Sequence, residues 1–175
     1  MTKFWLENNE VKSDIDLSIF DYGQMREIRL GLESNLDVSC YVKPEYDWAQ
    51  MKEIRLGLNE NLDVSPYSKP EYNWNQMKEI RLGLMKNLDV SAYAKPEFTS
   101  DQMEVVRSGL EENLDVSIYA NQEYDWEQMK EIRLGLKDNL DVLAYARPEC
   151  NIYQMKKIRS DLLYAMNNTP KKMDL

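Results

Sequence analysis

Glutamine followed by methionine occurs at Gln24, Gln50, Gln76, Gln102, Gln128 and Gln154, at a constant interval of 26 residues. No other feature restricts the fold so tightly. A period of roughly 20–50 residues marks a solenoid or array, because each repeat is too small to bury both of its faces and must shield them against its neighbours. The words around each Gln-Met recur with it: residues 46–71 read YDWAQMKEIRLGLNENLDVSPYSKPE, and close variants stand before and after. The expected fold is all-α, an α-solenoid of about six tandem 26-residue long-helix/short-helix repeats with N- and C-terminal caps.

Each repeat opens with the same local grammar. Asp21, Asp47, Asn73, Thr99, Asp125 and Asn151 each stand three residues before a Gln, which gives an N-cap side chain with a capping-box partner at N3. An apolar residue precedes most caps, from Phe20 and Tyr46 to Cys150, and Met always occupies N4, so the pair reads as a hydrophobic staple. The helix runs about three turns, through words like MKEIRLGL, to Asn35, Asn61, Asn87, Asn113 or Asn139, a residue suited to a left-handed helix stop. Asp37, Asp63, Asp89, Asp115 and Asp141 then read as N-caps of a second, short helix. Pro44, Pro70, Pro96 and Pro148 end it, because the residue before proline is pushed out of helical geometry. Gln122 replaces that proline once, which predicts a longer short helix in that repeat.

On a helical wheel at about 100° per residue, Gln50, Ile54, Leu58, Met51 and Trp48 form one arc, the expected buried face. Arg55 falls inside the arc, as do Arg29, Arg81, Arg107, Arg133 and Arg159. A buried arginine must pair or snorkel. The Asp37 and Glu45 series are the acidic positions kept through the first five repeats, so the expected arrangement is a structural ladder in which Arg29, Arg55, Arg81, Arg107 and Arg133 meet carboxylates such as Asp37, Asp63, Asp89, Asp115 and Asp141. The competing reading is a row of guanidinium groups lining a groove for a carboxylate, phosphate or acidic peptide. Leu30, Leu56, Leu82 and Leu134 lie off the arc and suit packing between helices, or else an apolar stripe for a partner. Trp48, Trp74 and Trp126 are expected to pack in the core, and the single helix glycines, Gly31 to Gly135, to admit a neighbouring helix.

Composition removes several classes of function. The chain has no histidine, the commonest general base and transition-metal ligand. Its motifs include no phosphate-binding glycine loop and no EF-hand, and its two cysteines, Cys40 and Cys150, form no CxxC. No catalytic, cofactor or metal site is therefore expected. A formal net charge of -9 argues against direct nucleic-acid binding, which rests on Lys and Arg displacing counterions. The N-terminal MTKFWLENNEVKSD lacks the apolar run of a signal peptide and no segment reads as membrane-spanning, so a cytoplasmic protein is expected.

Residues 1–19 match the repeat poorly but carry Phe4, Trp5, Leu6, Val11, Ile15, Leu17 and Ile19, and are expected to cap the N-terminal end. The repeats occupy 20–151, a capping helix 152–166 and a polar tail 167–175.

The words QMKEIRLGL and NLDVSxYAKPE resemble short tandem helical repeats of bacterial, phage and mobile-element proteins, over roughly Phe20 to Leu162. In broad architecture the chain also looks like the tetratricopeptide and Sel1-like classes, at a shorter period. The resemblance implies an all-α array and supplies no activity. The expected function is a non-catalytic protein-binding repeat protein, an adaptor or inhibitor; the resemblance tilts this towards an antagonist of a host nuclease or defence complex. An acidic surface imitating nucleic acid would meet a basic partner. Candidate partner-binding residues are Glu33, Glu60, Asp101, Glu104, Glu111, Glu112 and Glu127. The alternatives are a nucleic-acid-binding repeat protein using the Arg series with Lys52, Lys78, Lys130 and Lys156, and a small-ligand receptor or enzyme with a pocket between repeats.

Overall fold

The computed structural model describes residues 3–8, 10–14 and 16–168. Six helices carry the fold: α1 (Tyr22–Glu33), α2 (Trp48–Asn59), α3 (Trp74–Met85), α4 (Ser100–Glu111), α5 (Trp126–Lys137) and α6 (Ile152–Asn168). An antiparallel hairpin, β1 (Phe4–Glu7) and β2 (Glu10–Ser13), precedes them. The chain is mostly helical and not wholly so. In β1 the half-buried Phe4 and Leu6 alternate with the exposed Trp5 and Glu7, the period of a strand, and Asn8 takes the turn at φ 51°. Four residues of alternation were too short to separate from a helix end by pattern alone. Ile15 and the tail from 169 onward lie outside the described residues.

Two compact units, Met1–Val90 and Ser91–Leu175, divide the chain. In the first, both strands pack on α1, α1 packs on α2, and α2 on α3; in the second, α4 packs on α5 and α5 on α6.

The helix starts are closed by reciprocal hydrogen bonds. Gln50 N donates to Asp47 Oδ1 at 2.8 Å while Asp47 N donates to Gln50 Oε1 at 2.8 Å. The same box closes α1, α3, α4 and α5, and Asn151 with Gln154 does so for α6. Four of these glutamines also donate to the following repeat: Gln50 Nε2 donates to Tyr72 O at 2.6 Å, Gln24 to Tyr46 O at 2.6 Å, Gln102 to Tyr124 O at 2.6 Å and Gln128 to Cys150 O at 2.8 Å. One buried amide thus caps its own helix and ties down the next. A glutamate would serve the cap equally well but has no donor, and would set a carboxylate against a carbonyl oxygen. Gln50→Glu is expected to cost about 2–3 kcal/mol in urea unfolding, the penalty for a buried acceptor left unpaired.

Helix ends follow the sequence grammar. Asn35, Asn61, Asn87, Asn113 and Asn139 have φ between 55° and 57°, and in α2 Leu62 N donates to Gly57 O at 2.9 Å while Asn61 N donates to Leu58 O at 3.0 Å, a Schellman-type closure. The expected short helices shrink to single 3₁₀ turns, Val38–Cys40, Val90–Ala92, Val116–Ile118 and Val142–Ala144. Asp37, Asp63, Asp115 and Asp141 each accept a backbone N–H two residues on, and Asp89 precedes the Val90 turn. The repeat with Gln122 is no longer than the rest. Asn121 Oδ1 accepts from Glu123 N at 3.1 Å, and this side-chain turn does the stopping that proline does elsewhere.

The tyrosine of each turn fills the core. Tyr41, Tyr67, Tyr93, Tyr119 and Tyr145 are wholly buried, and Tyr67 Oη donates to Glu53 O at 3.2 Å, deep in α2. The helix glycines exist for these rings, not for a neighbouring helix: a Cβ on Gly57 would lie 1.9 Å from Tyr67 Oη, and on Gly135 1.9 Å from Tyr145 Oη. The buried arc is accordingly rotated from the one expected, and takes in Gln50, Glu53, Ile54, Met51 and Gly57 while Trp48 stands outside it.

Burial pushes the Tyr46 and Tyr145 hydroxyls up to about 12, and Tyr41, Tyr67 and Tyr119 upward as well. A raised folded-state value means the fold holds these protons more tightly than the unfolded chain. Their contribution is complete below the ordinary tyrosine value of 10.0 and is lost as pH rises through about 12. Helical circular dichroism and tyrosinate absorbance should therefore change together in one alkaline transition between those two values.

Candidate functional site

The arginine series is an ion-pair ladder, with partners other than those expected. Arg55 Nε donates to Glu27 Oε2 at 2.8 Å, Arg81 Nε to Glu53 Oε2 at 3.0 Å, and Arg159 Nε to Glu131 Oε2 at 2.7 Å. Each arginine reaches back to a glutamate on the preceding helix, 28 residues earlier. A second carboxylate 21 residues earlier often joins: Glu60 with Arg81 at 3.2 Å and Asp138 with Arg159 at 3.5 Å. Arg29 meets Glu33 at 3.5 Å within α1, and Arg107 also pairs with Glu111 within α4. The Asp37 series is occupied in capping turns, and the Glu45 series is exposed. Side-by-side helices bring like positions together, so the partner had to come from the same face of the neighbouring helix.

That pairing takes most of the arginines out of the expected basic stripe, while Lys52, Lys78, Lys130 and Lys156 stay exposed. Arg55, Arg81 and Arg133 keep only 15%, 10% and 16% of their side-chain surface. Several candidate partner-facing carboxylates are likewise engaged: Glu33, Glu60, Glu111 and Glu112 all sit in ion pairs. Glu112 takes both Lys137 at 2.7 Å and Arg133 at 2.5 Å, and these two cations hold its carboxyl below the usual range. Asp101, Glu104 and Glu127 stay exposed.

What faces outward instead is an aromatic-basic-apolar strip. Trp48, Trp74 and Trp126 are 47%, 42% and 41% exposed, contrary to the expected core role. The physical reason lies in the rotated arc: the Tyr67 ring claims the side of α2 that carries Gly57, which turns Trp48 away from the core. One helical turn on from each Trp stands an exposed Lys52, Lys78 or Lys130, and a turn further a half-buried Leu56, Leu82 or Leu134. Tyr22, Arg26 and Leu30 repeat the strip on α1. Helix α4 breaks it with Ser100, Glu104 and Ser108. In the first unit an apolar notch of about 200 Å³ lies between Trp48 and Trp74, with Ala49, Lys52 and Glu53 on its walls.

Among the described residues no cluster of three or more His, Cys, Asp or Glu could hold a metal, and no helix is long and apolar enough to cross a membrane. Cys40 and Cys150 are free thiols, Cys40 with its ionisation pushed up by burial. No protein-family model, curated protein or solved structure matches the chain.

Proposed function

We propose that the chain is a solenoid of 26-residue repeats, capped by the hairpin and by α6, that works as a non-catalytic protein-binding scaffold, an adaptor or inhibitor. The observation that carries this reading is the Trp-Lys-Leu strip, repeated at i, i+4 and i+8 on α2, α3 and α5 and left exposed while the tyrosines of the turns are wholly buried. Tryptophan is among the residues that dominate binding hot spots, the lysine beside it supplies charge complementarity, and a site held on rigid helices loses little ordering entropy on binding. The complementary partner is a protein surface with apolar side chains to enter the Trp48–Trp74 notch and carboxylates to meet Lys52 and Lys78.

A photo-crosslinking residue placed at Lys52 or Lys78 tests this in the native cell. It should trap one defined protein, and the yield should fall at least tenfold when Trp48 and Trp74 are changed to serine. Equal yields from a probe at Glu45, on the exposed connection, would refute it. The net charge of -9, with Asp101, Glu104 and Glu127 exposed, supports a second reading in which carboxylates imitate a nucleic-acid backbone. In that case crosslinks arise at Glu127 and vanish as salt is raised, while the double Trp variant binds normally.

A further inference from the structure

Between α4 and α5 the ladder lacks its glutamate, and a groove lies beside the gap. Position 105 is the counterpart of Glu27, Glu53, Glu79 and Glu131, and it holds valine. Arg133 on α5 therefore has a valine at the position where Arg55, Arg81 and Arg159 find a carboxylate. Its Nη1 is taken by Glu112 at 2.5 Å, but its Nε is buried with no acceptor. Among the described residues the other buried side-chain polar atom without a partner is Tyr119 Oη. Its counterparts Tyr41, Tyr67 and Tyr145 donate to the carbonyls of Glu27, Glu53 and Glu131, so the carbonyl it falls short of is that of Val105. Both defects converge on one rung.

Beside that rung lies a groove of about 380 Å³. Helix α4 supplies Asp101, Glu104, Val105 and Ser108, and α5 supplies Trp126, Lys130 and Arg133. Ser108 stands where four other repeats have leucine, so the α4 wall is lowered just where the glutamate is missing. The two walls carry opposite charge. Asp101 and Glu104 are exposed carboxylates with no ion pair among the described residues, and they face Lys130 and the Arg133 guanidinium across the cleft.

We propose that this α4–α5 groove binds a small zwitterion of the amino acid class. The ligand's carboxylate takes the position of the absent glutamate and accepts from Arg133 Nε, replacing an unpaired buried donor by a charge-assisted hydrogen bond. Its ammonium lies against Asp101 and Glu104. The groove shares Trp126 and Lys130 with the outward strip, but a change at Ser108 leaves both in place and so tests the groove alone.

The test follows the Nε–Hε signal of Arg133 in ¹⁵N–¹H spectra, identified by its loss in Arg133→Lys. L-alanine should shift it saturably. Propionate, which lacks the ammonium, should need roughly fivefold more, or about 1 kcal/mol, the upper value for an exposed ion pair. Ethylamine, which lacks the carboxylate, should leave it unmoved. Ser108→Leu restores the residue of the other repeats and should abolish the response. Val105→Glu should move the signal to its bound position without ligand and make it insensitive to alanine. No shift with L-alanine, equal titration by propionate and alanine, or an unchanged response in Ser108→Leu would each overturn the assignment.

Discussion

Gly57→Ala should destabilise the protein by about 3 kcal/mol, against the usual direction of a glycine-to-alanine change in a helix. Alanine ordinarily gains about 1 kcal/mol at such a site. Here its Cβ would sit 1.9 Å from Tyr67 Oη and 3.0 Å from Val64 Cγ1, and neither neighbour is a free chain end on the surface. The Tyr67 ring is wholly buried and its hydroxyl is fixed to Glu53 O at 3.2 Å. Overpacking costs about 1–3 kcal/mol, and the displaced hydroxyl leaves a buried carbonyl short of a donor for about as much again. Tyr67→Phe removes the clashing oxygen at a cost of about 1 kcal/mol. Gly57→Ala with Tyr67→Phe should therefore be clearly more stable than the sum of the single changes, by about 2 kcal/mol in a double-mutant cycle. Additive costs would show that the ring does not lie on the glycine.

Glu53→Val copies the natural break at Val105 into an intact rung and should cost about 3 kcal/mol. Arg81 is 10% exposed and Glu53 7%, so removing the carboxylate strands a buried guanidinium, a loss of about 3–5 kcal/mol in comparable pairs. Glu60, at 3.2 Å from Arg81 Nη1, keeps the loss near the lower figure. Arg81→Met in the same chain removes the stranded charge, and the double variant should return to within about 1 kcal/mol of the parent, because apolar replacements of a buried pair are often neutral. Urea unfolding of the three proteins measures this directly. A double variant as unstable as Glu53→Val would mean that the rung holds the helices by charge and not by fit.

Legibility in the sequence followed the range of the interaction. The capping residues Asp47 and Gln50 and the left-handed Asn61 act within a few positions, so their roles could be read one repeat at a time. The ladder was legible as a need, since a periodic arginine among apolar neighbours must be neutralised. Its partner was not, because Glu53 lies 28 residues from Arg81 and its series is interrupted by Val105 and Lys157. The tryptophans were misplaced for a related reason. A wheel scored by apolarity gives no weight to Gly57 or Glu53, although a buried tyrosine covers one and an arginine neutralises the other. The groove was present in the sequence only as an uneven copy, TSDQMEVVRSGL. Its meaning depends on what Val105 and Ser108 face on α5.

If the words are interchangeable structural repeats, one can be removed whole. Excision of residues 48–73 joins Asp47 to Trp74, keeps a Gln three positions after the cap, and presents Arg81 to Glu27 at the spacing of an intact rung. The shortened chain should unfold cooperatively in urea with the parent's helical signal per residue. A chain that is unfolded, or that loses its single transition, would contradict the repeat architecture on which the binding scaffold rests.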